Sequence, residues 1–178
     1  MSRPAKSSSV AAAGPQPPRR FLKTGLVALA ALALLASGCG GKARLTKAQY
    51  QQRVNQIGRQ LSDTLSKTFS SPQLQNPNSL KDAADVIRRG QRNLQDAAKR
   101  FAALNPPEEI QSIHGQFVRG LEHFARDFGT FAQVTEKGDL TALQRFSQQI
   151  SDQSLPSMVE IEKAIDAMKA KGFDISNG

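Results

Sequence analysis

The sequence predicts an all-α fold, an antiparallel up-down four-helix bundle that follows an N-terminal leader. Three observations carry this. From Tyr50 to Met168 the apolar residues recur at steps of three, four and seven, the period of a helix with one buried face. Beyond residue 45 the prolines fall only at 72, 77, 106, 107 and 156, so they punctuate long segments instead of interrupting them throughout. Residues that favour helix N-caps, Thr46, Ser79 and Asp139, open three of the four segments.

The first helix opens at Thr46, with Gln49 three residues on as the second half of a capping box. Tyr50, Val54, Ile57, Leu61, Leu65 and Phe69 form its apolar stripe, and it stops before Ser70-Ser71-Pro72. Residues 70–78, with Pro72 and Pro77, read as a loop. The second helix has Ser79 as N-cap and Asp82 in its first turn, where a carboxylate suits the helix dipole. Leu80, Ile87, Leu94 and Phe101 mark a heptad seam, with Ala83, Ala97 and Leu104 between them. It ends at Asn105-Pro106, and Pro107 opens the third helix beside Glu108 and Glu109. That helix carries Ile110, Phe117, Phe124 and Phe131 at the same interval, with Ile113, Leu121 and Phe128 interleaved, and Gly138 as its C-cap. Asp139 caps a fourth helix whose apolar face holds Leu140, Leu143, Ile150, Met158, Ile161, Ile165 and Met168. Pro156 must kink or split it. Gly172 suits a left-handed C-cap, which would place Phe173 back on Met168 as in a Schellman motif.

Ahead of the helices, residues 1–38 have the three parts of a secretory signal peptide. Arg3, Lys6, Arg19, Arg20 and Lys23 make a basic n-region without a carboxylate. Gly25 to Ala36 is an apolar h-region of a dozen residues, about 18 Å as a helix and short of a hydrocarbon core of about 30 Å. Small residues follow, and Leu34-Leu35-Ala36-Ser37-Gly38-Cys39 ends on the single cysteine of the chain. This run resembles the lipobox of bacterial lipoproteins, with Ala36 where leucine is usual. The resemblance implies cleavage before Cys39 and a diacylglycerol on its thiol. Acylation also accounts for the cysteine count, because one cysteine cannot form an internal disulfide in an exported chain. Two or more acyl chains anchor stably where one does not. The alternative is an uncleaved signal anchor across the uncharged stretch Thr24 to Gly41. Arg19-Arg20-Phe21-Leu22 resembles a twin-arginine export signal that lacks one residue; a general secretory route is the simpler reading. The chain thus divides into a signal peptide (1–38), an acylated cysteine with its tether (39–45) and the bundle (46–178). The stretch from Leu104-Asn105-Pro106-Pro107 through Lys137-Gly138-Asp139 to Lys171-Gly172-Phe173-Asp174 is similar to small uncharacterised helical envelope lipoproteins, a resemblance that implies no activity.

Charge argues against nucleic acid. Five of the 24 basic residues precede Cys39, which leaves 19 against 15 acidic ones. The charge is nevertheless uneven: residues 39–106 hold 12 basic and 4 acidic side chains, residues 107–178 hold 7 and 11. Arg88, Arg89 and Arg92 make the second helix a candidate contact for an anionic headgroup or cell-wall polymer. Gly58, Gly90 and Gly120 fall on apolar helix faces, where glycine costs about 1 kcal/mol against alanine. Either helices approach closely there, or a gap beside Phe117, Phe124 and His114 takes an apolar ligand.

His114 and His123 are nine residues apart, about 900° of helix rotation, so they point to opposite sides and cannot share a metal. No nucleophile elbow, phosphate loop or dinucleotide fingerprint is present. The expectation is therefore a non-enzymatic envelope lipoprotein without cofactor or metal, exported and held to the outer face of the cytoplasmic membrane or to an outer membrane. Its membrane contact is the lipid on Cys39, and its partner is an envelope protein or an anionic polymer. Binding of a small apolar or anionic ligand is the first alternative, and a redox or metal function through His114 the second.

Overall fold

The computed structural model describes residues 43–175, and these residues are all-α, with no strand among them. The leader 1–38, Cys39 and the first part of the tether lie outside the described residues. The helices are α1 (Lys47–Phe69), the single turn α2 (Pro72–Gln75), α3 (Leu80–Ala102), α4 (Gln111–Lys137), α5 (Leu140–Ser151) and α6 (Pro156–Ala170). A 3₁₀ turn, Glu108–Ile110, leads into α4.

The caps follow the local sequence. The Thr46 hydroxyl accepts from Gln49 N at 3.3 Å, and the Gln49 side chain accepts from Thr46 N at 3.0 Å, which closes the capping box. Ser79 accepts from Asp82 N at 3.1 Å and Asp139 from Ala142 N at 3.0 Å. Gly138 and Gly172 take left-handed backbone, φ 67° and 75°. After Gly172, Phe173 N reaches Met168 O at 3.0 Å, and both side chains enter one core. Pro107 differs from expectation: it caps the 3₁₀ turn, and α4 begins only at Gln111.

The fourth segment splits. Gln153 adopts φ 51°, Ser154 N returns to Gln149 O at 2.9 Å, and Pro156 starts α6 at a position that needs no N–H. A left-handed residue followed by proline gives α6 a direction independent of α5.

The long helices pack in series. α1 lies on α3, α3 on α4, and α4 on both α5 and α6, whereas α1 and α6 are not in extended contact. At one end of the molecule α1 starts, the α3–α4 connection passes and the chain leaves α6. Leu45 N donates to Asn105 O at 2.9 Å, Arg44 donates to Pro106 O at 3.2 Å, and Lys47 donates to Lys171 O at 3.4 Å. We call this the proximal end. At the far end Gly138 comes next to Leu80, and Arg88 pairs with Glu136.

Two apolar clusters fill the interior. The proximal one joins Tyr50, Val54 and Ile57 to Phe101, Phe117, Leu121, Met168 and Phe173. The distal one joins Ile87 and Leu94 to Ala125, Phe128 and Ala132. Phe146 of α5 docks there, stacked on Phe131 at 4.4 Å and edge-on to Phe128 at 6.4 Å. Two expected core positions are outside it: Leu80 is 52% and Leu140 77% exposed. Both open a helix.

Candidate functional site in the cleft between α1 and α6

Because α1 and α6 are not in extended contact, the apolar stripes that should meet across them stay half covered. Leu61, Leu65, Met158, Ile161 and Ile165 are all intermediate in burial. Together with Leu94 of α3 and Leu121 and Phe124 of α4 they line a groove of about 370 Å³. Gln153, Glu162, Asp166 and Lys169 complete it. The charged three belong to α6 and are exposed, so the wall is apolar below and ionic at the lip. Lys169 approaches Asp166 at 3.9 Å, while Glu162 has no ionic partner among the described residues.

The proximal end of the interior is tied by polar groups. The Tyr50 hydroxyl, wholly buried, lies 2.9 Å from His114 Nδ1 and 3.6 Å from Met168 Sδ. The His114 ring stands edge-on to Tyr50, and Phe173 packs on the other side of the phenol. Burial pushes the Tyr50 hydroxyl far above the usual phenol range, so it stays protonated. Burial also lowers the His114 pKa, against a smaller opposing effect of the Phe101 backbone, so the imidazole is neutral at pH 7. His114 Nε2 is buried and has no partner in hydrogen-bond geometry. His123 is on the outside, 2.8 Å from Glu160 in a shallow polar pocket with Gln116, Arg119 and Lys163. No group of three or more histidine, cysteine or acidic side chains converges among the described residues.

Of the residues singled out as ligand contacts, Phe124 lines the groove. Gly120 lies behind its wall: a Cβ there would meet Ile161 Cγ1 at 2.9 Å and Ile161 N at 3.2 Å, so this glycine lets α6 sit against α4. Phe117 is buried edge-on to Phe101 at 5.0 Å, and His114 is held by Tyr50. Gly90 makes room for the Phe69 ring, whose Cζ would be 2.6 Å from an added Cβ. Gly58 has neither role, since a Cβ there would meet nothing within 4 Å. A close approach that the seam pattern does not reveal occurs at Gly129, where the Gln91 amide occupies the space of a side chain at 2.7 Å.

The basic face of α3 is partly neutralised. Arg88 bridges Asp85, at 2.8 Å, and Glu136, and Lys81 also holds Asp85 at 2.9 Å. Hydrogen bonds from Lys81 and then Arg88 keep the Asp85 carboxyl below its ordinary range. Arg89 and Arg92 are exposed and have no ion pair among the described residues.

Residues 44–169 match the model of a family described as a domain of unknown function, DUF7018. The chain belongs to this family. The matched stretch of this DUF7018 member begins just before the α1 capping box and ends in the last turn of α6, so it contains both walls of the groove and the Tyr50–His114–Met168 cluster. No curated protein and no solved structure matches the chain. No helix among the described residues is long and apolar enough to cross a membrane.

Proposed function

We propose that this chain is an exported lipoprotein, anchored to the cell envelope through acylated Cys39, whose helical domain has a non-enzymatic interaction role. The leading support is a pair of cations at the proximal end, where the chain enters the domain, set beside the exposed carboxylates of Glu108, Glu109 and Asp174. Arg44 bonds only to the Pro106 carbonyl and, at 2.9 Å, to the Gln111 side chain. Lys47 lies on the Lys171 carbonyl and over the Phe173 ring, 4.9 Å from its centroid. Neither cation has a carboxylate partner among the described residues, and Lys171 stands exposed beside them. Cations left with neutral partners, five (Arg44) and eight (Lys47) residues beyond Cys39, suit a surface resting on anionic headgroups, each near group contributing about 1 kcal/mol. On this reading the domain is an antiparallel up-down four-helix bundle in which α5 and α6 are the broken fourth member and the α1–α6 seam stays open.

The test is Cys39→Ser. Replacement should abolish acylation and move the protein out of the detergent phase on phase partitioning. Unchanged partitioning would sink the lipid anchor and favour retention of the apolar stretch 25–36.

A second reading, binding of an apolar ligand, is favoured by the groove itself. Its volume of about 370 Å³ lies within the ordinary range for small-molecule sites, about 300–1,000 Å³, and eight apolar side chains line it. Lipid extracted from gently purified protein and identified by mass would support it; a bare protein taken from its own membranes would count against it.

A further inference from the structure

The size and rim of the α1–α6 groove narrow the class of ligand, and the argument rests on the apolar-ligand reading above. A water molecule has a share of about 30 Å³ in the liquid, and a methylene group needs about as much. The groove, about 370 Å³, has room for several such groups in a row. One flexible hydrocarbon chain fits between the rows of Leu61 and Leu65 on one side and Ile161 and Ile165 on the other.

The rim selects the head of that ligand. Asp166 is 3.9 Å from Lys169, whereas Glu162, one turn earlier on the same exposed edge, is uncompensated among the described residues. A negative head at the lip would face this carboxylate, and a positive one would pair with it. We propose that the groove holds the single alkyl chain of an amphiphile whose headgroup bears an ammonium, with Glu162 as its counter-ion. Leu94, Leu121 and Phe124 form the floor under the chain, and Glu162 fixes which end stays in water.

Two photoreactive probes test this on the full-length protein in phosphatidylcholine vesicles. Both carry the same twelve-carbon diazirine chain, one ending in an ammonium and one in a carboxylate. After illumination, labelled peptides are mapped by mass. The expected result is labelling of the peptides that contain Leu61–Leu65 and Ile161–Ile165, with the ammonium probe ahead by about fivefold, the effect of one half-exposed ion pair. Glu162→Gln should remove that preference while labelling of the groove persists. Leu65→Trp should fill the groove and abolish labelling by both probes, with circular dichroism reporting the fold; should it misfold, Glu162→Gln, at an exposed position, still decides the headgroup. Equal labelling by the two probes, or a preference untouched by Glu162→Gln, would overturn the ammonium assignment and leave the apolar site standing. Label spread over the surface, or none in the groove, would overturn both. The mass of the Cys39 peptide in the same digest reports acylation separately.

Discussion

The Tyr50 hydroxyl and His114 Nδ1 meet at 2.9 Å inside the proximal cluster, the one side-chain hydrogen bond that ties α1 to α4 within the core. It joins residues 64 positions apart, and Met168 of α6 adds its sulfur to the same hydroxyl. Tyr50→Phe keeps the ring and removes the bond, leaving His114 Nδ1 buried and unpaired. We expect a loss of about 1–3 kcal/mol in chemical denaturation. A change below a few tenths would mean that water replaces the hydroxyl.

The same pair gives stability a dependence on pH. His114 has a lowered pKa in the folded state, so the unfolded chain binds more protons as pH falls through its ordinary value of about 6.5. Stability from this group is complete above that value and declines below it. Urea midpoints measured from pH 7.5 to 5 should fall for the native chain and flatten at this step in His114→Gln. An identical slope in both would remove His114 as the source. Tyr50 acts at the other limit: its raised pKa keeps it protonated while the unfolded phenol ionises, so stability declines as pH rises above about 10.

Two glycines should respond to alanine in opposite directions. Gly58 has open space around its Cβ position and lies inside α1, so Gly58→Ala should raise stability by up to about 1 kcal/mol through helix propensity. At Gly120 a Cβ would press on the Ile161 backbone nitrogen and side chain, and Gly120→Ala should cost about 1–3 kcal/mol. Thermal unfolding of the pair decides it. Equal effects would mean that α4 and α6 separate more readily than their packing implies.

Gln153 occupies left-handed backbone, φ 51°, and its side chain makes no hydrogen bond among the described residues. Gln153→Gly should relieve about 1 kcal/mol of strain and raise the melting temperature. A lower melting temperature would show that the Gln153 side chain supports the α5–α6 junction.

Much of this fold is written in short-range signals. Thr46 with Gln49, Ser79, Asp139, Gly138 and Gly172 each act within four residues, so the helix ends they set can be read from neighbours alone. The break at Pro156 is equally local. What could not be read is which stripe meets which. Leu61, Leu65, Ile161 and Ile165 have the spacing of core residues, but the lack of extended contact between α1 and α6 leaves them as the walls of a groove. Leu80 and Leu140 likewise fit the period and miss the core, because periodicity reports a face and not what covers it. The Tyr50–His114 bond was out of reach for the same reason: the two residues share no local pattern. Its only trace was a histidine on an apolar face.

The bonds of residues 44–47 to the α3–α4 connection and to the end of α6 also set how the domain bears load. A pull on the chain at residue 43 meets the Leu45–Asn105 bond and the two Arg44 bonds before it reaches the first turn of α1. Force is thereby passed to Pro106 and Gln111, at the start of the longest helix, and α1 is not peeled from its end. The domain should yield as a block and not unravel turn by turn, which suits the lipid-anchored module proposed above.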